Sequence, residues 1–121
     1  MGAFADMEAP SPLFRVSRYT YEGRDRAQYW FICPGCKEAH AIDDSWQFNG
    51  DFAKPTFSPS FLTWNDPDPR AAEGSKFRTG WRCHSFIKDG QMQFLGDCTH
   101  ALAGQTVPIP PWSDDRVMGD D

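Results

Sequence analysis

The segment from Trp81 to His100 constrains the fold more than any other, because it places an Asp-Gly pair between two apolar-rich runs. It reads W-R-C-H-S-F-I-K-D-G-Q-M-Q-F-L-G-D-C-T-H. Asp89-Gly90 predicts a β-hairpin with a two-residue type I′ turn, which requires positive φ at both central residues. A two-residue turn fixes the register of the two strands. The expected cross-strand pairs nearest the turn are Lys88 with Gln91 and Ile87 with Met92.

Side chains alternate between the two faces of a strand, so the hairpin sorts its reactive residues into two sets. One face should carry Cys83 and, if the strand runs on, Cys98. The other face should carry His84 and Asp97. The sequence thus predicts a thiol pair on one side of the hairpin and an imidazole–carboxylate pair on the other.

The composition predicts a mainly β fold, a small antiparallel sheet domain with little helix, and the motif C-P-G-C at residues 33–36 adds a zinc-knuckle site. Of the 121 residues, 10 are Pro and 10 are Gly, and 15% are aromatic, which favours many short strands and turns. We expect a flexible arm over residues 1–12, one zinc-stabilised β domain over 13–109 and a mobile acidic tail over 110–121. The expected strands are 13–21, 27–32, 40–42, the two arms of the hairpin and 105–109.

Charge and hydropathy narrow the function classes. The net charge is −5, so no nucleic-acid partner is expected, because phosphate binding relies on basic surface. No apolar run is long enough for a membrane span and no signal pattern opens the chain, so a cytoplasmic protein without membrane contact is expected. In that compartment the four cysteines are better suited to metal binding than to disulfides.

Cys33 and Cys36 form the motif C-P-G-C, in which Gly35 would let the chain turn so that both thiolates face one tetrahedral ion. The hairpin supplies a second pair, since Cys83 and Cys98 would be diagonal neighbours about 7–8 Å apart at the backbone. We therefore predict one structural zinc ion held by two distant segments.

The ligand set is open at the sequence level. His100 shares the strand parity of Cys98, and His40 lies four residues beyond Cys36, so either imidazole could replace a thiolate. Four buried free thiols are the alternative without a metal, because Cys is among the most buried residue types. A thioredoxin-like redox pair is disfavoured, since no helix follows the motif.

A second site is suggested by His84 and Asp97, because a carboxylate beside an imidazole orients the ring in hydrolytic triads. A hydroxyl nucleophile would complete the set. Ser85 lies on the opposite face of the strand, which leaves Ser58 and Ser60 in the segment P-T-F-S-P-S-F. Because of its prolines, that segment is expected at a sheet edge or in an extended loop. The alternative is a surface His–Asp pair without a reaction.

Four blocks in this order carry a resemblance to a known family: W-F-I-C-P-G-C-K-E-A-H, W-Q-F-N-G-D with P-T-F-S-P-S, R-C-H-S-F-I-K-D-G, and F-L-G-D-C-T-H-A-L-A-G-Q-T-V. Over residues 30–107 the chain resembles small uncharacterised zinc-binding proteins of tailed phages, some of which are labelled ammonia monooxygenase. Related peptidase domains occur in bacterial operons for ubiquitin-like conjugation. The oxygenase label finds no support here, since there is no membrane span and no histidine-rich copper pattern.

The resemblance implies hydrolysis of a peptide or isopeptide bond at a ubiquitin-like carboxyl terminus. Carried onto this chain, it implies His84 as general base, Asp97 as its orienter and Ser60 or Ser58 as nucleophile. Two hypotheses follow, and whether the protein is an enzyme separates them. One is a small peptidase built on a structural zinc. The other is a non-catalytic zinc-stabilised module whose aromatic segment, residues 46–64, binds a host or phage protein.

Overall fold

A computed structural model of the chain describes residues 7–116, and it is built from two antiparallel sheets. The first sheet has three strands in the order β1-β2-β3, and the second has five in the order β4-β5-β6-β7-β8. One helical turn, α1 (Lys76–Thr79), precedes β6. The strands are β1 (Arg15–Tyr21), β2 (Arg24–Cys33), β3 (Glu38–Asp43), β4 (Gln47–Phe48), β5 (Phe57–Asn65), β6 (Trp81–Lys88), β7 (Gln91–Phe94) and β8 (Thr106–Pro108). The predicted mainly β, antiparallel class is confirmed, with two sheets in place of one.

The central hairpin formed by β6 and β7 is confirmed in turn and register. Asp89 has φ 52° and Gly90 has φ 81°, the positive values that a type I′ turn needs. Lys88 pairs with Gln91 and Ile87 pairs with Met92. The face that carries Cys83 is the buried one, and its buried residues are Cys83, Ser85, Ile87, Met92 and Phe94.

Strand β5 differs from the expected edge segment because it lies between two partners at its start. Phe57 and Ser58 pair with β4, while Phe57 also pairs with β6. The register with β6 then shifts between Phe57 and Phe61, and Pro59 lies inside that irregularity. Proline donates no ladder hydrogen bond, so a bulge is a position in a sheet where it is tolerated. The bulge also breaks the simple alternation of a regular strand, because Pro59 is exposed whereas Phe57 and Phe61 are buried.

Aromatic side chains join the two sheets into one core. The ring of Phe31 in β2 lies 5.8 Å from that of Phe61 in β5, measured between centroids, and 5.9 Å from that of Phe14. Tyr29 in β2 lies 5.7 Å from Phe57 in β5. Rings at these separations gain attraction beyond the area they bury. The core therefore depends on β2 packing across β5.

The regions flanking the core contact it within the described residues. Glu8 pairs with Val16 of β1, and the backbone N–H of Trp112 donates to the carbonyl of Pro12 at 2.8 Å. The remainder of the predicted arm and tail, residues 1–6 and 117–121, lies outside the described residues. The division at residues 13 and 109 stays a prediction. In the described part of the chain, no helix has the length and apolar character needed to cross a membrane.

Replacing Phe31 with alanine should destabilise the protein strongly, because Phe31 is fully buried and bridges the two sheets. We expect a loss of about 3–5 kcal/mol in the free energy of unfolding, measured by urea denaturation. Tyr21→Ala is the control, since this side chain is 58% exposed and should cost less than about 1 kcal/mol. Equal losses for both variants would contradict this description of the core.

Candidate active site and metal centre

A serine, a histidine and an aspartate form a continuous hydrogen-bonded chain on the outer face of the hairpin. Ser60 Oγ lies 3.1 Å from His84 Nε2, and His84 Nδ1 lies 3.2 Å from Asp97 Oδ2. A carboxylate accepts hydrogen bonds only, so Nδ1 carries the proton that it donates to Asp97. The lone pair of Nε2 then points at the hydroxyl of Ser60. This is the arrangement of a Ser-His-Asp triad, with the hydroxyl next to a base that a third group orients.

The strand register explains how the three residues meet. Leu62 of β5 pairs with His84 of β6, so Ser60, two residues earlier, is a diagonal neighbour of His84 on the same face. Asp97 comes from the loop after β7. That loop lies alongside β6, because the backbone N–H of Leu95 donates to the carbonyl of His84 at 2.9 Å.

Of the two candidate serines, the structure brings Ser60 to the imidazole and leaves Ser58 elsewhere. Ser58 is exposed and pairs with Gln47 of β4. The bulge puts three residues of β5, numbers 58 to 60, opposite the single residue Phe86 of β6. A sequence pattern of simple alternation does not contain this shift, so it could not choose between the two serines. Ser85 lies on the buried face, as the alternation predicted.

Two further residues contact the triad, and neither role was predicted from the sequence. Cys98 contacts the backbone of His84, and Arg82 contacts Asp97. Arg82 Nη1 donates to Asp97 Oδ2 at 3.3 Å. Desolvation is the largest influence on the pKa of Asp97 and raises it, but the hydrogen bonds from His84 and Arg82 outweigh it and hold the pKa below its ordinary value. Asp97 is therefore kept as a carboxylate. The shared parity of Arg82 and His84 on β6 is the signal that could have placed Arg82 on this face.

The second group lies on the opposite, buried side of β6 and consists of Cys33, Cys36, Cys83 and His100. One ligand atom from each of the four residues lies within 4.8 Å of every other, a set that could hold a metal ion. Cys33 ends β2, Cys36 follows it in the knuckle, Cys83 lies in β6 and His100 lies beyond β7. The site therefore takes its atoms from both sheets.

Cys98, a predicted ligand, lies outside this group of four. Its Sγ lies 3.2 Å from the carbonyl oxygen of His84 and 3.3 Å from its backbone nitrogen. The prediction carried the two-residue alternation past Phe94, where β7 ends, so strand parity no longer governs the direction of this side chain. His40, the other alternative, also lies outside the group, with its ring stacked on Trp81 at 6.4 Å between centroids.

The protonation states of the cluster residues favour binding of a cation. Hydrogen bonds from the thiols of Cys36 and Cys83 lower the pKa of Cys33 to about 4, so this residue is the preformed thiolate. Cys83 donates to that thiolate, which raises its own pKa. Desolvation lowers the pKa of His100 and keeps its imidazole neutral. Its Nε2 is buried without a hydrogen-bond partner among the described residues, an orphaned atom that a metal ion would satisfy.

Gly35 in the C-P-G-C motif makes room for the imidazole of His100. A Cβ atom at this position would lie 2.3–2.6 Å from three ring atoms of His100. Gly35 does not adopt positive φ, whereas Lys37, two residues later, has φ 60°. Gly35 was predicted to let the chain turn, but the structure requires a glycine there because the ring of His100 lies too close for a side chain.

Exchange of His100 for alanine should reduce bound metal below one ion per chain and weaken retention against a chelator, because one of the four ligands is removed. Cys98→Ser is the matched variant and should retain the metal, since its Sγ contacts the backbone of His84. Elemental analysis of the purified proteins measures both. Metal loss in Cys98→Ser with retention in His100→Ala would contradict this ligand set.

Alanine at Gly35 should weaken metal binding, because the added methyl group would displace the ring of His100. The control is Gly96→Ala, where a Cβ would meet nothing within 4 Å and φ is not positive. Competition with a colorimetric chelator gives the two affinities. Identical affinities would show that the ring does not need this space.

Comparison with known proteins places the chain in a family. A family described as bacterial ubiquitination-like system serine protease (BubE) matches residues 6–95. The matched part includes Ser60 and His84 and ends just before Asp97. No curated protein and no solved structure matches the chain. Because the match spans well over half of the sequence, the chain belongs to the family of serine proteases of bacterial ubiquitination-like systems.

Proposed function

We propose that this protein is a serine protease that hydrolyses a peptide or isopeptide bond at the carboxyl terminus of a ubiquitin-like protein. The observation that carries the proposal is the unbroken chain of contacts from Ser60 Oγ through His84 to Asp97. Membership of a serine protease family supports the reaction class, and the family's ubiquitination-like systems suggest the kind of substrate. We propose that it acts in the bacterial cytoplasm, or in that of the host if a phage encodes it.

Each member of the triad has a defined part in this reaction. Ser60 Oγ attacks the carbonyl carbon of the scissile bond while His84 Nε2 accepts its proton. The resulting imidazolium is stabilised by the carboxylate of Asp97, which also accepts a hydrogen bond from Arg82. His84 then returns the proton to the leaving amine, and an acyl-enzyme forms on Ser60. Water, deprotonated by the same imidazole, hydrolyses the ester and restores the serine.

We propose zinc as the metal of the four-residue cluster. Three thiolates and one imidazole form a common structural zinc set. Sulfur ligands about 2.3 Å from a tetrahedral ion lie about 3.8 Å apart, and Cys33 Sγ and Cys83 Sγ lie 3.7 Å apart. With all four positions filled by protein atoms, the ion would fasten the fold and supply no step of the reaction. The chemistry belongs to the triad on the other side of β6.

The non-catalytic binding module receives less support from the structure. Most aromatic side chains of residues 46–64 pack against the core, among them Trp46, Phe48 and Phe52. Phe57 and Phe61 belong to the core itself. This segment therefore presents a smaller aromatic surface than its composition suggested.

Ser60→Ala should abolish labelling by a fluorophosphonate probe and should lower cleavage of a ubiquitin-like fusion by on the order of 10³-fold or more. Ser58→Ala is the matched control, because residue Ser58 pairs with Gln47 of β4 and the hydroxyl that contacts His84 is that of Ser60. In-gel fluorescence measures labelling, and release of the fusion partner measures cleavage. Retained labelling in Ser60→Ala, or its loss only in Ser58→Ala, would contradict the assignment of the nucleophile.

A further inference from the structure

We propose that the open edge of β5 beside Ser60 binds the substrate as an added antiparallel strand, with apolar side chains of an extended polypeptide lying beside Leu62 and Trp64. This inference rests on the proposed protease function and names the form in which the substrate binds. It makes two separate demands on the substrate. The segment around the scissile bond must be unfolded, and two of its residues must be apolar.

The second half of β5 has a free edge among the described residues. Strand β4 pairs with β5 only at Phe57 and Ser58. From Phe61 to Asn65 the pairing is with β6 alone, on the other side of the strand. In an antiparallel strand the backbone groups alternate in direction, so those turned away from β6 face this edge. Such a row of unpaired donors and acceptors is a template for another strand.

The free edge is continuous with the nucleophile. Ser60 is the last residue of the bulge, and the open edge begins at Phe61, the next residue. A polypeptide paired with this edge would therefore run past the hydroxyl of Ser60. Strand addition also holds a peptide extended through main-chain hydrogen bonds, which do not depend on its sequence. The edge thus meets the geometric needs of a protease subsite.

Apolar side chains beside the edge favour an apolar substrate segment. Leu62 pairs with His84 and Trp64 pairs with Arg82, so both lie on the face of the triad. They are large and hydrophobic, yet Leu62 is 41% exposed and Trp64 is 53% exposed. Residues two apart on a paired strand project to the same face. Two substrate residues separated by one position would therefore cover Leu62 and Trp64.

Internally quenched octapeptides, randomised with one position fixed at a time, test the proposal with the full-length protein. The wild type should prefer apolar residues at two positions that are two residues apart. Leu62→Ala should remove the preference at one of these positions, and Trp64→Ala should remove it at the other. Each should lower kcat/KM for the best peptide about tenfold. Tyr21→Ala, an exposed aromatic on the other sheet, should change neither value.

Hydrolysis of 4-nitrophenyl acetate separates this proposal from the protease function, because the small ester makes no strand contacts. The expected result is a much larger loss on peptides than on the ester for Leu62→Ala and Trp64→Ala. Unchanged peptide selectivity in both variants overturns strand addition while the protease assignment stands. A wild type that hydrolyses the ester but cleaves no peptide also overturns strand addition, and it leaves only the reactivity of Ser60 established. A wild type inert towards both substrates removes the protease function and this inference together.

Discussion

Contact between the thiols of Cys33 and Cys83, 3.7 Å apart, is the interaction on which the rest of the structure depends. It brings the end of β2 in the first sheet against β6 in the second, close to where β6 begins. Cys36 and His100 complete the cluster from the two adjoining loops. A domain of this size gains from such a fastening, because its core alone is modest. A bound cation would replace shared protons by metal–ligand bonds and so couple metal affinity to folding.

The same contact determines where the triad lies. Neighbouring residues of a strand point to opposite faces, so turning Cys83 inward turns His84 outward. The loop after β7 has a matching division, since His100 reaches the cluster while Asp97 reaches the imidazole. The metal centre and the triad thus share β6 and the same loop without sharing an atom. A metal ion bound there would therefore support the proposed catalysis by fixing strand positions.

Several features could be predicted from the sequence because they depend on local rules. The Asp89-Gly90 pair specifies a type I′ turn, and the turn fixes which hairpin residues share a face. Other features depend on tertiary packing. The bulge in β5 decides that Ser60 and not Ser58 meets His84, and the end of β7 at Phe94 frees Cys98 from strand parity. The contact between Gly35 and the ring of His100 joins residues far apart in sequence, so no local pattern contained it.

The most direct test of this account is the rate of fluorophosphonate labelling at Ser60, measured against the amount of metal bound while a chelator removes it. If the cluster fixes β6 and the following loop, labelling should fall in step with the loss of metal and return when zinc is restored. Circular dichroism on the same samples reports whether the fold persists. Labelling at an undiminished rate in a metal-free, folded protein would contradict the dependence of the triad on the cluster.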